Sequence, residues 1–209
     1  VVAMNGDYSA GMSLAEGMAI RTLDAPPKGS TPKTAGWFAG LLKRERPDLL
    51  LTYNWGAIEA VFGAVLEPVC PVIHTEDGFG PDEAKGLKAR RVWTRRAVLR
   101  SVYRMAVPSR TLERIALERY WLPGEKVVYI PNGVDTERFR PGRDLAMRAE
   151  LGLGEDEFVV GTVGRLRGEK DLPALVRRFR EAGIAGGTVG GVGDGQARGG
   201  SEGAAGETG

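Results

Sequence analysis

The chain has 209 residues, 42% of them hydrophobic and 27% charged, with a formal net charge of +2; that is enough apolar material for one ordinary core and part of another. No uninterrupted run of about 18 apolar residues occurs, which argues against a membrane span, and Val1-Val2-Ala3-Met4-Asn5-Gly6 carries neither a basic leader nor a long apolar region, so a cytoplasmic location is expected. The single cysteine, Cys70, excludes an intramolecular disulfide; between Val69 and Pro71 it is expected to be a buried, inert thiol.

In chain order, short β runs alternate with helical segments, the pattern of a parallel sheet covered on both faces. Weak strands are expected at 1–4 and 19–23. A loop at 24–32 follows, where Pro26, Pro27 and Pro32 bar regular helix or interior strand. Strands are then expected at 48–52, 69–74, 103–107 and 127–130, with helices at 34–46, 56–66, 81–101 and 109–120, the last capped by Ser109. A further strand is expected at 158–163 and a helix from about Asp171. From Glu181 to Gly209 twelve of 29 residues are glycine. Interior glycines weaken a strand at 185–192, and a tail disordered from about 181 is expected.

Residues 81–120 carry eleven Lys and Arg against four acids, a net +7. Ala89, Val92, Trp93 and Ala97 follow helical spacing, with Arg90, Arg91, Arg95 and Arg96 flanking or opposing that stripe. Such a face is either simply solvated or held to an anionic membrane surface. No nucleic-acid module accompanies the charge, so a nucleic-acid partner is not expected.

The polar clusters fall at the carboxyl ends of the expected strands, where open α/β sheets bind ligands. Tyr53, Asn54 and Trp55 offer an amide and aromatic faces for a sugar ring, although Trp55 serves equally well as a helix–sheet packing residue. His74, the only histidine, can bond a sugar hydroxyl or a phosphate, or stand as a satisfied structural residue. Glu76 and Asp77 can anchor the hydroxyls of a ligand or act as a base, or complement a helix dipole. Further on, Ile130-Pro131-Asn132-Gly133-Val134-Asp135 runs from a strand into a turn, with Arg138, Phe139 and Pro141 behind it. Gly164 and Arg165 end the later strand, and Lys170 lies five residues on. Fixed cations there can bind an anion and stabilise negative charge that develops on it. One histidine, one cysteine and no Asp-x-Asp triplet leave no metal site to build. Gly191-Val192-Gly193-Asp194-Gly195 lacks a dinucleotide fingerprint, which disfavours a dehydrogenase.

The Ile130–Pro141 stretch and the Gly164-Arg165…Lys170 pair together resemble the hinge and donor-site entry of family 4 retaining glycosyltransferases. The resemblance implies two Rossmann-like domains of the GT-B architecture: an α/β acceptor-side domain at 1–135, a linker at 136–155, and the truncated start of a donor-binding domain at 156–209. It implies transfer from a nucleotide-diphospho-sugar to a glycan or lipid-linked acceptor, with retention and without cofactor or obligatory metal, at the inner face of a membrane if the acceptor is lipid-linked. It assigns His74 to the transferring sugar, Gly164, Arg165 and Lys170 to the diphosphate, and Asn132 and Gly133 to the hinge. The family's glycine-rich turn and its two glutamates eight apart are missing, so turnover by this chain is not expected. A nucleotide-sugar 2-epimerase of the same architecture and a non-catalytic basic surface-binding module are the alternatives.

Overall fold

The computed structural model describes residues 1–4, 6, 8, 20–27, 29–83, 86–164 and 170–193. The chain divides into two compact units, Val1–Gly133 and Val134–Gly209. In the first, strands β1 (Leu50–Tyr53), β2 (Val72–Thr75), β3 (Arg104–Val107) and β4 (Val127–Tyr129) form one parallel sheet in the order β1-β2-β3-β4. Parallel neighbours require crossovers. These contain α2 (Ile58–Leu66), α3 (Ala89–Val98) and α4 (Arg110–Glu118), and α1 (Thr31–Glu45) packs on α2.

The register aligns Thr52 with His74, His74 with Met105, and Met105 with Val127 across the four strands. Ile58, Val61, Val98, Leu99, Val102, Val107 and Ala116 complete the core with them, each at most 2% exposed. Hydrophobic burial on this scale is the main favourable term of the fold. Ser109 caps α4 as expected, its Oγ accepting from the Leu112 N–H at 3.2 Å.

Four expectations for the first unit need correction. The helix expected over 81–101 is broken into a 3-10 turn at Pro81–Glu83, α3, and a second 3-10 turn at Leu99–Ser101. Gly86, at φ 148°, interrupts it with a backbone that L side chains rarely adopt. The apolar stripe of α3 is Val92, Arg95 and Val98, whereas Trp93 is 60% exposed and Ala89 and Ala97 are exposed too. The weak strands at 1–4 and 19–23 amount, among the described residues, to one parallel bridge between Val2 and Leu23. Cys70 is half-buried rather than buried, and desolvation still pushes its thiol pKa up.

The second unit contains α5 (Leu145–Glu150), β5 (Val159–Val163), α6 (Leu172–Glu181) and β6 (Thr188–Val192), with β5 and β6 parallel. The expected disorder from about 181 does not hold up to Gly193. β6 pairs with β5 over five residues because ladder bonds come from the backbone. Glycine at 187 also permits close packing: a Cβ there would stand 2.9 Å from Ile184 Cγ2 and 3.0 Å from Phe179 Cζ. Residues 194–209 lie outside the described residues. Asp171 caps α6 and Asp144 caps α5 through their carboxylates.

α1 and α2 approach closely at Gly63. A Cβ on Gly63 would lie 2.5 Å from Phe38 Cβ and 3.0 Å from the Ala35 carbonyl oxygen. Gly63→Ala is expected to lower stability by about 1–3 kcal/mol, despite alanine's better helix propensity, because the two backbones must separate. Urea unfolding of the two proteins measures this.

Candidate functional site

The loops after β1 and β2 are tied together at the carboxyl edge of the sheet. Asn54, directly after β1, holds φ 57° and ψ −178°, a region nearly reserved for glycine that costs about 1–3 kcal/mol. Two bonds hold it there: its N–H donates to the Thr75 carbonyl at 2.8 Å, and its Oδ1 accepts from the Asp77 N–H at 2.9 Å. The next residue, Trp55, turns its ring to the guanidinium groups of Arg91 and Arg95, each 4.9 Å from the ring centroid.

Arg95 is 1% exposed. A buried charge requires partners, and it has them: Nη2 lies 2.5 Å from Glu76 Oε1 and 3.5 Å from Glu83 Oε2. The faces of Trp55, Phe79 and Tyr120 surround it at 4.9, 5.6 and 5.4 Å. Arginine suits this place because its planar, weakly hydrated cation stacks on rings and still bonds carboxylates in its plane. Outward from it, Arg91 bridges Glu83 and Asp82 at 2.8 Å each, and Lys88 meets Asp82 at 2.8 Å. Three cations thus face three carboxylates. Among the described residues, Arg91 Nε and Arg95 Nη1 are buried without a hydrogen-bond partner, while Glu76 Oε2 and the Tyr120 hydroxyl interact with each other but form no hydrogen bond of regular geometry.

The electrostatics follow from burial. Desolvation raises the Glu76 pKa, with Arg95 opposing. Burial would raise Glu83 as well, but its bonds to Arg91 and the Lys88 N–H, together with the Arg95 charge, outweigh it and hold Glu83 below the usual range. Burial and the Glu76 charge push the Tyr120 phenol well up, so it stays protonated beside that carboxylate. His74 is 1% exposed, with Nδ1 2.8 Å from Thr52 Oγ1. Burial first, and the Arg95 charge second, lower its pKa to about 4. The ring is therefore neutral near pH 7.

Above this network opens a cavity of about 420 Å³, lined by Asn54, Trp55, Asp77, Phe79, Arg91 and Arg95 among others. It offers aromatic faces, an amide, an exposed carboxylate at Asp77 and two arginines paired with the lining carboxylates of Asp82 and Glu83. That set suits a hydroxylated ring bearing an anionic group.

The structure brings Asn54, Trp55, Glu76 and Asp77 together, and it places His74 beneath them rather than in the cavity lining. Trp55 packs against the core, the packing role weighed for it, and its ring also lines the cavity. Tyr53 is 58% exposed and lines a separate apolar cavity of about 570 Å³. Asn132 and Gly133 are exposed, and Gly133 is the last residue of the first unit. Gly164 and Lys170 are exposed in the second unit, and Arg165 lies outside the described residues. Arg91, Arg95, Glu83, Tyr120 and Thr52 were not singled out as site residues from the sequence. The available signal was Arg95 at the i+3 position between Val92 and Val98, an arginine inside an apolar stripe. Among the described residues, no three His, Cys, Asp or Glu side chains gather as a metal site.

Residues 1–133 match the family model described as the glycosyl transferase 4-like domain. The chain belongs to that family. This glycosyltransferase 4-like chain is 26% identical over 194 residues to a D-inositol 3-phosphate glycosyltransferase of Stackebrandtia nassauensis, covering 84% of the chain and 44% of that protein. It is 30% identical over 136 residues to the UDP-Gal:alpha-D-GlcNAc-diphosphoundecaprenol alpha-1,3-galactosyltransferase of Escherichia coli, covering 63% of the chain and 35% of that protein. Among solved structures, Anabaena HepE in complex with UDP and glucose superposes with a TM-score of 0.62 at 19% identity, covering 88% of this chain and 49% of that one. Sucrose-phosphate synthase of Thermosynechococcus elongatus superposes at 0.60 with 24% identity, covering 78% and 41%. The fold is the α/β, GT-B type expected from the sequence. The chain spans less than half the length of these relatives.

Two outcomes follow from the buried network. Arg95→Ala strands Glu76 and is expected to cost about 3–5 kcal/mol, read by chemical denaturation. The buried His74 binds its proton less readily in the folded than in the unfolded chain, so its contribution to stability is complete above pH 6.5 and is lost as pH falls towards about 4, a loss of roughly 3 kcal/mol. The raised Glu76 pKa works in the opposite direction on acidification. Unfolding profiles of the protein and of His74→Gln between these pH values isolate the histidine's share as their difference.

Proposed function

We propose that the Val1–Gly133 unit is the acceptor-binding half of a retaining glycosyltransferase that moves a sugar from a nucleotide-diphospho-sugar to a hydroxylated acceptor bearing phosphate. The cavity at the carboxyl ends of β1 and β2 carries this reading, because it joins sugar-stacking faces to two arginines in a chain of this family. The names of the relatives support the acceptor class: inositol 3-phosphate and a diphosphoundecaprenol-linked sugar both combine hydroxyls with phosphate.

On this reading Asp77 and the Asn54 amide hold acceptor hydroxyls, Trp55 stacks on the ring, and Arg91 and Arg95 face the phosphate. An anion entering here shares cations already engaged by Glu76, Glu83 and Asp82. The site therefore selects by geometry as much as by charge. His74, which the family resemblance assigns to the transferring sugar, is neutral, bonded to Thr52 and absent from the cavity lining; on this reading it supports the cavity wall from beneath. Gly164, Arg165 and Lys170, before the N-terminus of α6, take the donor diphosphate, whose developing charge fixed cations and a helix N-terminus stabilise. Asn132 and Gly133 are the hinge. The anomeric bond breaks as the diphosphate leaves on the face where the acceptor hydroxyl arrives, with no obligatory metal. A lipid-linked acceptor would be met at the inner face of a membrane.

Binding rather than turnover is the property to test on residues 1–209. Calorimetric titration is expected to show inositol 3-phosphate binding more tightly than inositol, with Arg91→Gln removing about tenfold of the affinity for the phosphate. Equal affinities for the two ligands would sink the acceptor assignment. In any longer protein that includes this chain and transfers sugar, Lys170→Ala is expected to lower kcat/KM by about 10²; an unchanged value would remove Lys170 from the donor site.

A further inference from the structure

α3 has two charged faces with different roles. Arg91 and Arg95 turn inward to the cavity network. On the outer side Trp93 is 60% exposed, and beside it Trp121, which follows α4, is 50% exposed. The two indoles meet edge to face with centroids 5.9 Å apart. Arg96 packs on both, its guanidinium 3.4 Å from the Trp121 centroid and 4.5 Å from that of Trp93. Its Nε donates to the Arg119 carbonyl at 2.7 Å, which fixes the side chain between the rings.

Two large exposed aromatics packed on one arginine call for an explanation, and the backbone sharpens it. Trp121 adopts φ 57°, a left-handed conformation that is uncommon for a bulky residue. The chain around it is one-signed: residues 84–112 contain nine Lys and Arg and no acid. Of these, Arg90 and Arg100 are exposed and, among the described residues, carry no carboxylate partner. Tryptophan is favoured where one side is apolar and the other wet, and arginine beside it binds anionic head groups.

We propose that the Trp93–Arg96–Trp121 cluster is the docking point of this chain on an anionic lipid bilayer. The indoles enter the head-group layer, and Arg96, Arg90 and Arg100 pair with lipid phosphates. The surface lies on the helix whose other face lines the cavity, so docking would hold the cavity at a fixed distance from the bilayer. The assignment rests on exposed aromatics and charge and is independent of the transfer reaction, so loss of inositol phosphate binding does not affect it.

The test uses the full chain in co-sedimentation with vesicles of equal parts phosphatidylglycerol and phosphatidylcholine, and with vesicles of phosphatidylcholine alone. Binding is expected only to the first, weakening as salt screens the charges, with a blue shift of tryptophan emission. Arg96→Gln is expected to weaken binding about fivefold, the worth of one basic residue at such a surface. Trp121→Gly, where glycine suits the backbone, is expected to reduce both binding and blue shift while the circular dichroism spectrum stays unchanged. Equal binding to both vesicles, variants that bind like the parent, or tighter binding to a single-stranded oligonucleotide than to the anionic vesicles would each overturn the proposal.

Discussion

The buried contact between Arg95 and Glu76 is the constraint on which the candidate site depends. Ion pairs out of water are poor contributors to net stability, and an apolar replacement of equal shape is often as stable. What this pair supplies is position. Glu76 follows β2 and Arg95 belongs to α3, so their 2.5 Å contact pins the loop after β2 to the crossover helix. Trp55, after β1, closes over the same guanidinium. Three separate segments are thereby brought to one point at the carboxyl edge of the sheet. The same charge helps keep His74 neutral beneath them.

Strain is distributed around this point. Asn54 occupies an unfavourable backbone region against two hydrogen bonds, and one of these fixes the Asp77 amide. A cavity wall built from tethered loops changes shape little when a ligand arrives, so less ordering cost is taken from binding. The unmet donors on Arg91 and Arg95 fit the same account. Buried polar atoms without partners are uncommon in folded proteins and call for a reason, and the proposed acceptor phosphate would provide one. The balance of three cations against three carboxylates sets a limit, because an entering anion competes with the protein's own acids.

Much of the fold was legible because its signals are local. Strands β1 to β4 were each anticipated to within a few residues from apolar runs, and Ser109 marked the start of α4 through its hydroxyl. Asn54, Trp55, Glu76 and Asp77 were legible as site candidates because polar residues after a buried parallel strand have few structural uses. Arg95 was not. Its burial depends on Glu76, nineteen residues earlier, and on ring faces from Trp55, Phe79 and Tyr120, none of which composition or helical period reports. The stripe through Trp93 failed for the same reason: a large aromatic reads as core, yet here it stands in solvent against Arg96. Gly86 broke the long helix through a backbone angle that a glycine codon permits but does not announce. The order of residues 181–193 was missed because β6 is held by backbone pairing that side-chain dilution does not remove.

The chain contains four tryptophans, and only Trp55 lines the cavity among Trp37, Trp55, Trp93 and Trp121. Their four indole N–H resonances make the most direct test of the acceptor site: a two-dimensional ¹H–¹⁵N spectrum recorded while inositol 3-phosphate is added. The account predicts that the Trp55 resonance moves and saturates while the other three stay in place. Movement of Trp93 or Trp121 with Trp55 unmoved, or no movement at all, would contradict the assignment of this cavity as the acceptor site.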